Sequence, residues 1–262
     1  MEKKLKNLKK LKKLKKSNKV LVLGHNALDY KSAIKYPFPG AIEKGMHPPA
    51  PSSLLYDNWQ DFDGDIISCH HQNYNARFVV AVEPSPRFHE GGGIKVSNCP
   101  AYNKESKEAL EGMLEYNLNP DDYYYIDFPK RFQHNGQTVT LYTGLFAILF
   151  SCMMGYEEVY TAGVDGNMLG TDDGFKYKKR YIKEAKKFVR TGKSKLVRVH
   201  KQPKPKNMSE WSDWKVIQNY PKTLDYLLDY CKDLYPNINI YKSHKLSKLN
   251  VEIKDPLNYN FN

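Results

Sequence analysis

Cysteine is scarce, and no two cysteines are spaced as C-x-x-C. The four, Cys69, Cys99, Cys152 and Cys231, fit neither a zinc site nor the disulfide framework of a small secreted domain. Their use points to a reducing, cytoplasmic setting. Cys152 lies inside an apolar run and reads as core. Long apolar runs are missing too. The best, Leu141–Met154, is short and interrupted by Thr143, Gly144 and Ser151, which excludes a membrane span there. Residues 1–19 are too charged for a secretory signal. Two phosphate-binding signatures are also absent: G-x-x-x-x-G-K-[ST], and a G-x-G-x-x-G following a strand. Gly91-Gly92-Gly93 has no helix pattern after it and reads as a flexible loop. P-loop enzymes, standard kinases and dehydrogenases are therefore disfavoured.

What is present begins with charge. The 262 residues carry a formal net charge of +12, unevenly placed. Residues 1–19 contribute +9 and residues 176–206 contribute +13, which leaves the remainder at −10. An acidic body thus carries two basic appendages. Pervasive nucleic-acid binding is disfavoured, and local capture of anions is favoured. Tyrosine is abundant, at 20 residues, and reads chiefly as core.

In the first appendage, leucines at 5, 8, 11 and 14 drift around a helix and cover a broad face. A solvated lysine-rich arm over residues 1–17 is expected. Residues 2–17 offer peripheral contact to an anionic membrane or another polyanion, without aromatic anchors. Residues 18–262 read as one domain, with a basic lid at about 166–215.

Lys19–Leu23 predicts a buried parallel strand running into Gly24, His25 and Asn26. Asp65–Cys69 and Phe78–Val82 predict two more, ending at His70-His71 and at Glu83-Pro84-Ser85. Residues 36–60 read as loop. Glu105–Tyr116 predicts a helix and Tyr123–Asp127 a strand. Leu141–Gly155 predicts a helix, and Glu158–Ala162 a strand that ends at Gly163-Val164-Asp165. Lys176–Arg190 is helical by pattern, Leu224–Leu234 is an amphipathic helix, and Ile238–Tyr241 is the last strand. Strands alternating with helices predict an α/β, Rossmann-like, mostly parallel sheet with helices on both faces. Ligands of such sheets sit beyond the carboxyl ends of the strands.

Asp61-Phe62-Asp63 has the look of a metal-binding acid pair, but it precedes a strand and reads as a solvated turn. His70 and His71 are adjacent on extended chain, point to opposite sides, and do not suit one metal. No metal or cofactor is expected. Thr143-Gly144 opens a helix. That end either presents free N–H groups to a phosphate or is capped in the ordinary way by the threonine.

Three stretches together resemble the bacterial sialyltransferases that decorate lipo-oligosaccharide. They are Val20–Ala27, Asp65–His70, and Leu141-Tyr142-Thr143-Gly144 through Gly155-Tyr156-Glu157-Glu158-Val159-Tyr160-Thr161-Ala162-Gly163-Val164-Asp165. The resemblance implies a metal-independent glycosyltransferase using a nucleotide-sugar donor of the CMP-sialic-acid kind and a glycan or other hydroxyl acceptor. Carried over by position, it implies nucleotide contacts at Gly24, His25, Asn26, His70, Glu83, Ser85, Thr143, Gly144, Gly163 and Asp165. Asn167 stands where the family has the first of two phosphate-binding aromatics. No histidine aligns with the family's general base, so Asp213 and His200 are the candidates for that role.

Two rival classes remain. The same strand-and-turn features resemble the 6-hydroxymethylpterin diphosphokinase-like proteins, which implies a magnesium-dependent pyrophosphoryl transfer. The other is a non-catalytic module that binds polyanion or membrane through its lysines. Homo-oligomeric assembly is left open.

Overall fold

Runs such as Val20-Leu21-Val22-Leu23 are apolar on both faces of a strand, which is stable only where both faces are covered. The computed structural model meets that condition. It describes residues 2–24, 51–56, 58–70, 75–83, 86–89, 92–166, 169–170, 179–193, 197–198, 222–245 and 247–257. Seven strands form one sheet: β1 (Lys19–Leu23), β2 (Asp65–Cys69), β3 (Phe78–Ala81), β4 (Ile94–Ser97), β5 (Tyr123–Tyr125), β8 (Glu158–Ala162) and β11 (Asn239–Lys242). Their order is β11-β8-β1-β2-β3-β4-β5, and every pairing is parallel. In register, Leu23 lies between Ser68 and Ala162. The chain steps outward from β1 through β5, then returns to place β8 on the other side of β1. That reversal makes the β1/β8 boundary the topological switch point.

On one face lie α1 (Glu2–Lys12), α4 (Thr143–Met154) and α6 (residues 222–234), sharing a core that includes Leu11, Val22, Phe78, Phe150 and Leu227. The helix α4 is apolar nearly all round because the sheet lies under it and α1 beside it. It ends at Gly155, whose left-handed φ of 74° lets its N–H return to the Ser151 and Cys152 carbonyls. At the β3–β5 side of the other face, α2 (Pro86–His89) and α3 (Lys107–Glu115) enclose Val79, Ala81, Phe88, Met113 and Tyr123.

Four features depart from the sequence reading. The segment 51–62 lies within or just beyond the expected loop, yet it forms a buried layer over β1, β2 and β8. Tyr56, Trp59 and Phe62 cover Leu21, Leu23 and Ile66, and the Trp59 indole donates to the Ser53 carbonyl at 2.9 Å. The strand β4 follows the triple glycine. A hairpin of β6 (Arg131–His134) and β7 (Gln137–Thr140) turns through Asn135 and Gly136, both at positive φ. Finally, α1 is docked: Leu8 and Leu11 are buried, Asn7 donates to the Tyr125 carbonyl at 3.0 Å, and Lys15 reaches the Gly155 carbonyl at 2.9 Å. Its outward face carries Lys9, Lys10 and Lys12, with Lys13 just past its end, all exposed. Among the described residues no helix is long and apolar enough to cross a membrane.

Candidate functional site

Because the strands are parallel, their carboxyl ends share one edge. Gly24, His70, Glu83 and Gly163 all lie on it, each just past its strand. At the switch point the fit is tight. The Gly24 N–H donates to the Ala162 carbonyl at 2.8 Å. A Cβ on Gly24 would stand 2.2 Å from the Gly163 oxygen, so only glycine allows β1 and β8 to end this close together.

Asp165 follows β8 and is 3% exposed. Ser52 engages it completely. The Ser52 N–H donates to Oδ2 at 2.9 Å, and the Ser52 hydroxyl donates to Oδ1 in a short contact. The same hydroxyl accepts the Gly163 N–H at 2.7 Å. Burial is the larger influence on the carboxyl and raises it to about 6; the two Ser52 bonds pull the other way. Asp165 therefore closes a clamp between β8 and the Pro51–Leu54 turn. Ser52 gave no signal of its own, being one serine in a Pro-rich stretch.

The second group gathers around β2, β3 and the start of α4. His70 leaves β2 at φ 62°, with its N–H donated to the Val80 carbonyl at 2.8 Å. Histidine is among the residues enriched at such angles, and the chain turns off the sheet there. Glu83 is exposed and paired with Lys130. The N-cap of α4 is Tyr142, without a side-chain cap bond, so Thr143 is the first helical residue and not the cap. The Thr143 hydroxyl instead accepts the Val82 N–H at 3.4 Å. Gly144 is half-buried beside it. First-turn N–H groups that the Tyr142 side chain does not cap, at the positive end of a twelve-residue helix, suit an anion.

Within the expected lid, α5 (Lys179–Thr191) buries Ala185 and Val189 and packs on the Pro51–Leu54 turn, the turn that holds Asp165. The short strands β9 (Leu169–Gly170) and β10 (Val197–Arg198) pair antiparallel. His244, at the carboxyl end of β11, was not anticipated. Burial and then the Lys245 charge hold it below its ordinary value, while a bond to the Val189 backbone works the other way. His25, Asn26, Ser85, Asn167, His200 and Asp213 lie outside the described residues. Asp61 sits in an exposed turn and accepts from Asn58 at 2.8 Å. No group of three metal-ligating side chains occurs among the described residues. A cavity of about 600 Å³ lies at the opposite, amino-terminal edge, lined by Lys16, Asp65 and Arg77 among others.

No family model matches the sequence, and no curated protein matches it. Two solved structures are similar. The sialyltransferase CstII from Campylobacter jejuni, in complex with the substrate analogue cytidine-5'-monophosphate, is 14% identical with a TM-score of 0.38, over 93% of this chain and 88% of that one. A point variant of sialyltransferase CST-II in complex with CMP is 15% identical with a TM-score of 0.42, over 93% and 89%.

Proposed function

We propose that this chain is a glycosyltransferase that moves a sugar from a nucleotide donor of the CMP-sialic-acid kind to a hydroxyl acceptor without a metal. The observation that carries the reading is the amino terminus of α4, without a cap bond from the Tyr142 side chain, standing on the same edge as the β1/β8 switch point. Sugar nucleotides present a phosphate and a flat base, which suit a helix terminus and a strand-end crevice respectively. The likeness of Tyr142–Asp165 to the sialyltransferase pattern supports the same choice. In this proposal Gly24, His70, Thr143, Gly144 and Gly163 line the nucleotide, and lysines of the basic lid stabilise charge on the departing phosphate. Asp213 or His200 takes the acceptor proton.

A thermal-denaturation screen against CMP-, UDP-, GDP- and TDP-sugars and ATP tests this. A ligand at 100 times its dissociation constant stabilises by about 2.7 kcal/mol. One sugar nucleotide is expected to raise the melting temperature, to do so equally in excess chelator, and to lose the effect in Thr143→Val. A shift seen only with ATP and magnesium would assign the pyrophosphokinase class instead.

The lysine face of α1 is proposed as a peripheral contact. Leu8 and Leu11 are committed to the core, so the exposed lysines are what the described outward face offers. Sedimentation with vesicles containing phosphatidylserine is expected at low salt and to vanish near 0.5 M salt. Replacing Lys9, Lys10, Lys12 and Lys13 by glutamine should abolish it. Salt-resistant binding would require apolar insertion and refute a purely electrostatic contact.

A further inference from the structure

We infer that the amino-terminal edge of the sheet carries a second small-molecule site, built for a polyhydroxylated phosphate monoester of sugar-phosphate size. The cavity of about 600 Å³ there lies within the range of small-ligand pockets. It opens among Lys16, Gln60, Phe62, Asp65, Asn75 and Arg77. Asp65 begins β2 and His70 follows its end, so the cavity and the nucleotide edge are separated by the length of the strand, roughly 15 Å.

Two cations supply the anion-binding half. The Arg77 Nε donates to the Leu14 carbonyl at 2.9 Å, which fixes the guanidinium plane while its two terminal amino groups keep no partner among the described residues. A guanidinium held this way offers a pre-set fork to phosphate oxygens. The Lys16 N–H donates to Asp65 at 2.9 Å, and its exposed ammonium group likewise has no partner among the described residues.

The hydroxyl-binding half rests on Asp65, which is 5% exposed. Its Oδ2 accepts both the Lys16 N–H and the Tyr156 hydroxyl, the latter at 2.7 Å. Its Oδ1 has no partner among the described residues, yet it is not sealed from solvent. It therefore opens to the cavity. A buried carboxylate oxygen calls for a donor, and a fully ionised phosphate ester group has none of its own. A sugar hydroxyl meets the need, with Phe62 in the cavity wall beside it. Arg77, Lys16 and Asp65 together leave one positive charge, which favours a phosphate ester over a neutral sugar.

Calorimetric titration of the full chain with glucose 6-phosphate, inorganic phosphate and glucose tests the site. Glucose 6-phosphate is expected to bind at least tenfold more tightly than phosphate, and glucose not at all. Asp65→Asn retains an oxygen for Lys16 and Tyr156 but turns an amide toward the cavity. It should cost glucose 6-phosphate about tenfold and phosphate little. Lys16→Gln, on an exposed side chain, should weaken both. Thermal melts establish that each variant is folded, and Thr143→Val should leave this binding unchanged, which separates it from the nucleotide edge. Equal affinity for phosphate and glucose 6-phosphate, no binding of either, or an Asp65→Asn variant indistinguishable from the parent would overturn the proposal.

Discussion

Replacing Gly24 with alanine is expected to cost this protein a substantial share of its folding stability. The added Cβ would meet the Gly163 oxygen at 2.2 Å and its carbonyl carbon at 2.5 Å, where ordinary contacts begin near 3.4 Å. Both atoms are backbone, so no side chain can swing away. Relief requires β1 and β8 to part at the end of the register that joins Leu23 to Ala162, and β1 is held on its other side by β2. Overpacking of this kind costs about 3 kcal/mol or more, against a total of roughly 5–15. Gly166→Ala should also be costly, because its φ of 64° is unfavourable for alanine and the new Cβ meets the buried Leu224 side chain at 2.2 Å. Gly112→Ala, in the interior of α3 with nothing within 4 Å of the added Cβ, should instead stabilise by up to about 1 kcal/mol. Urea unfolding of the three variants reads these effects directly. A Gly24→Ala protein within 1 kcal/mol of the parent would show that the strand ends are not locked.

Much of this frame was legible in the sequence. The strands β1, β2 and β8 fall on the expected residues because each is a short apolar run buried on both faces and closed by Gly, His or Gly-Val-Asp. The strand β4 was not legible: it reads Ile-Lys-Val-Ser, and its Lys95 is buried by neighbours distant in sequence. The β6/β7 hairpin did carry a signal, since Asn135-Gly136 is the preferred pair for a two-residue turn. The docking of α1 was half legible. Its leucine spacing announced a face, but lysine density suggested a free arm, and only the apolar flank of α4 shows what that face covers.

The candidate edge divides in the same way. Gly24, Thr143, Gly144 and Gly163 stand where strand ends and a helix start are expected, because local pattern fixes both. Their partners are not local. Thr143 reads either as a cap or as part of a phosphate site, and its hydroxyl accepts the Val82 N–H from just past β3. Asp165 reads as a nucleotide contact, yet both its oxygens belong to Ser52, 113 residues earlier. No periodicity or motif in residues 36–60 marks that serine, since its role exists only once the turn is laid against β8.

That clamp makes the last prediction, a pH dependence with a definite sign. Asp165 is held at about 6 when folded, against an ordinary 3.8. Below pH 4 both states are protonated and the group costs nothing. Between pH 4 and pH 6 the unfolded chain gives up this proton before the folded one does. The folded state then binds more protons, and stability falls as pH rises, by on the order of 3 kcal/mol in full. Urea unfolding at pH 4.5 and pH 7.5 should show this slope in the parent and its loss in Asp165→Asn. Ser52→Ala removes one donor from the carboxylate and leaves the Gly163 N–H without its acceptor. It should cost about 2–4 kcal/mol at pH 7.5 and less at pH 4.5, where a neutral carboxyl is cheaper to leave underbonded. The double variant should cost less than the two single changes summed, as contacting groups do. An unchanged slope in Asp165→Asn would assign the pH dependence to other groups. Because α5 rests on the same turn, Ser52→Ala should weaken nucleotide-sugar binding as well, linking the most buried charge of the edge to the basic segment proposed to close over it.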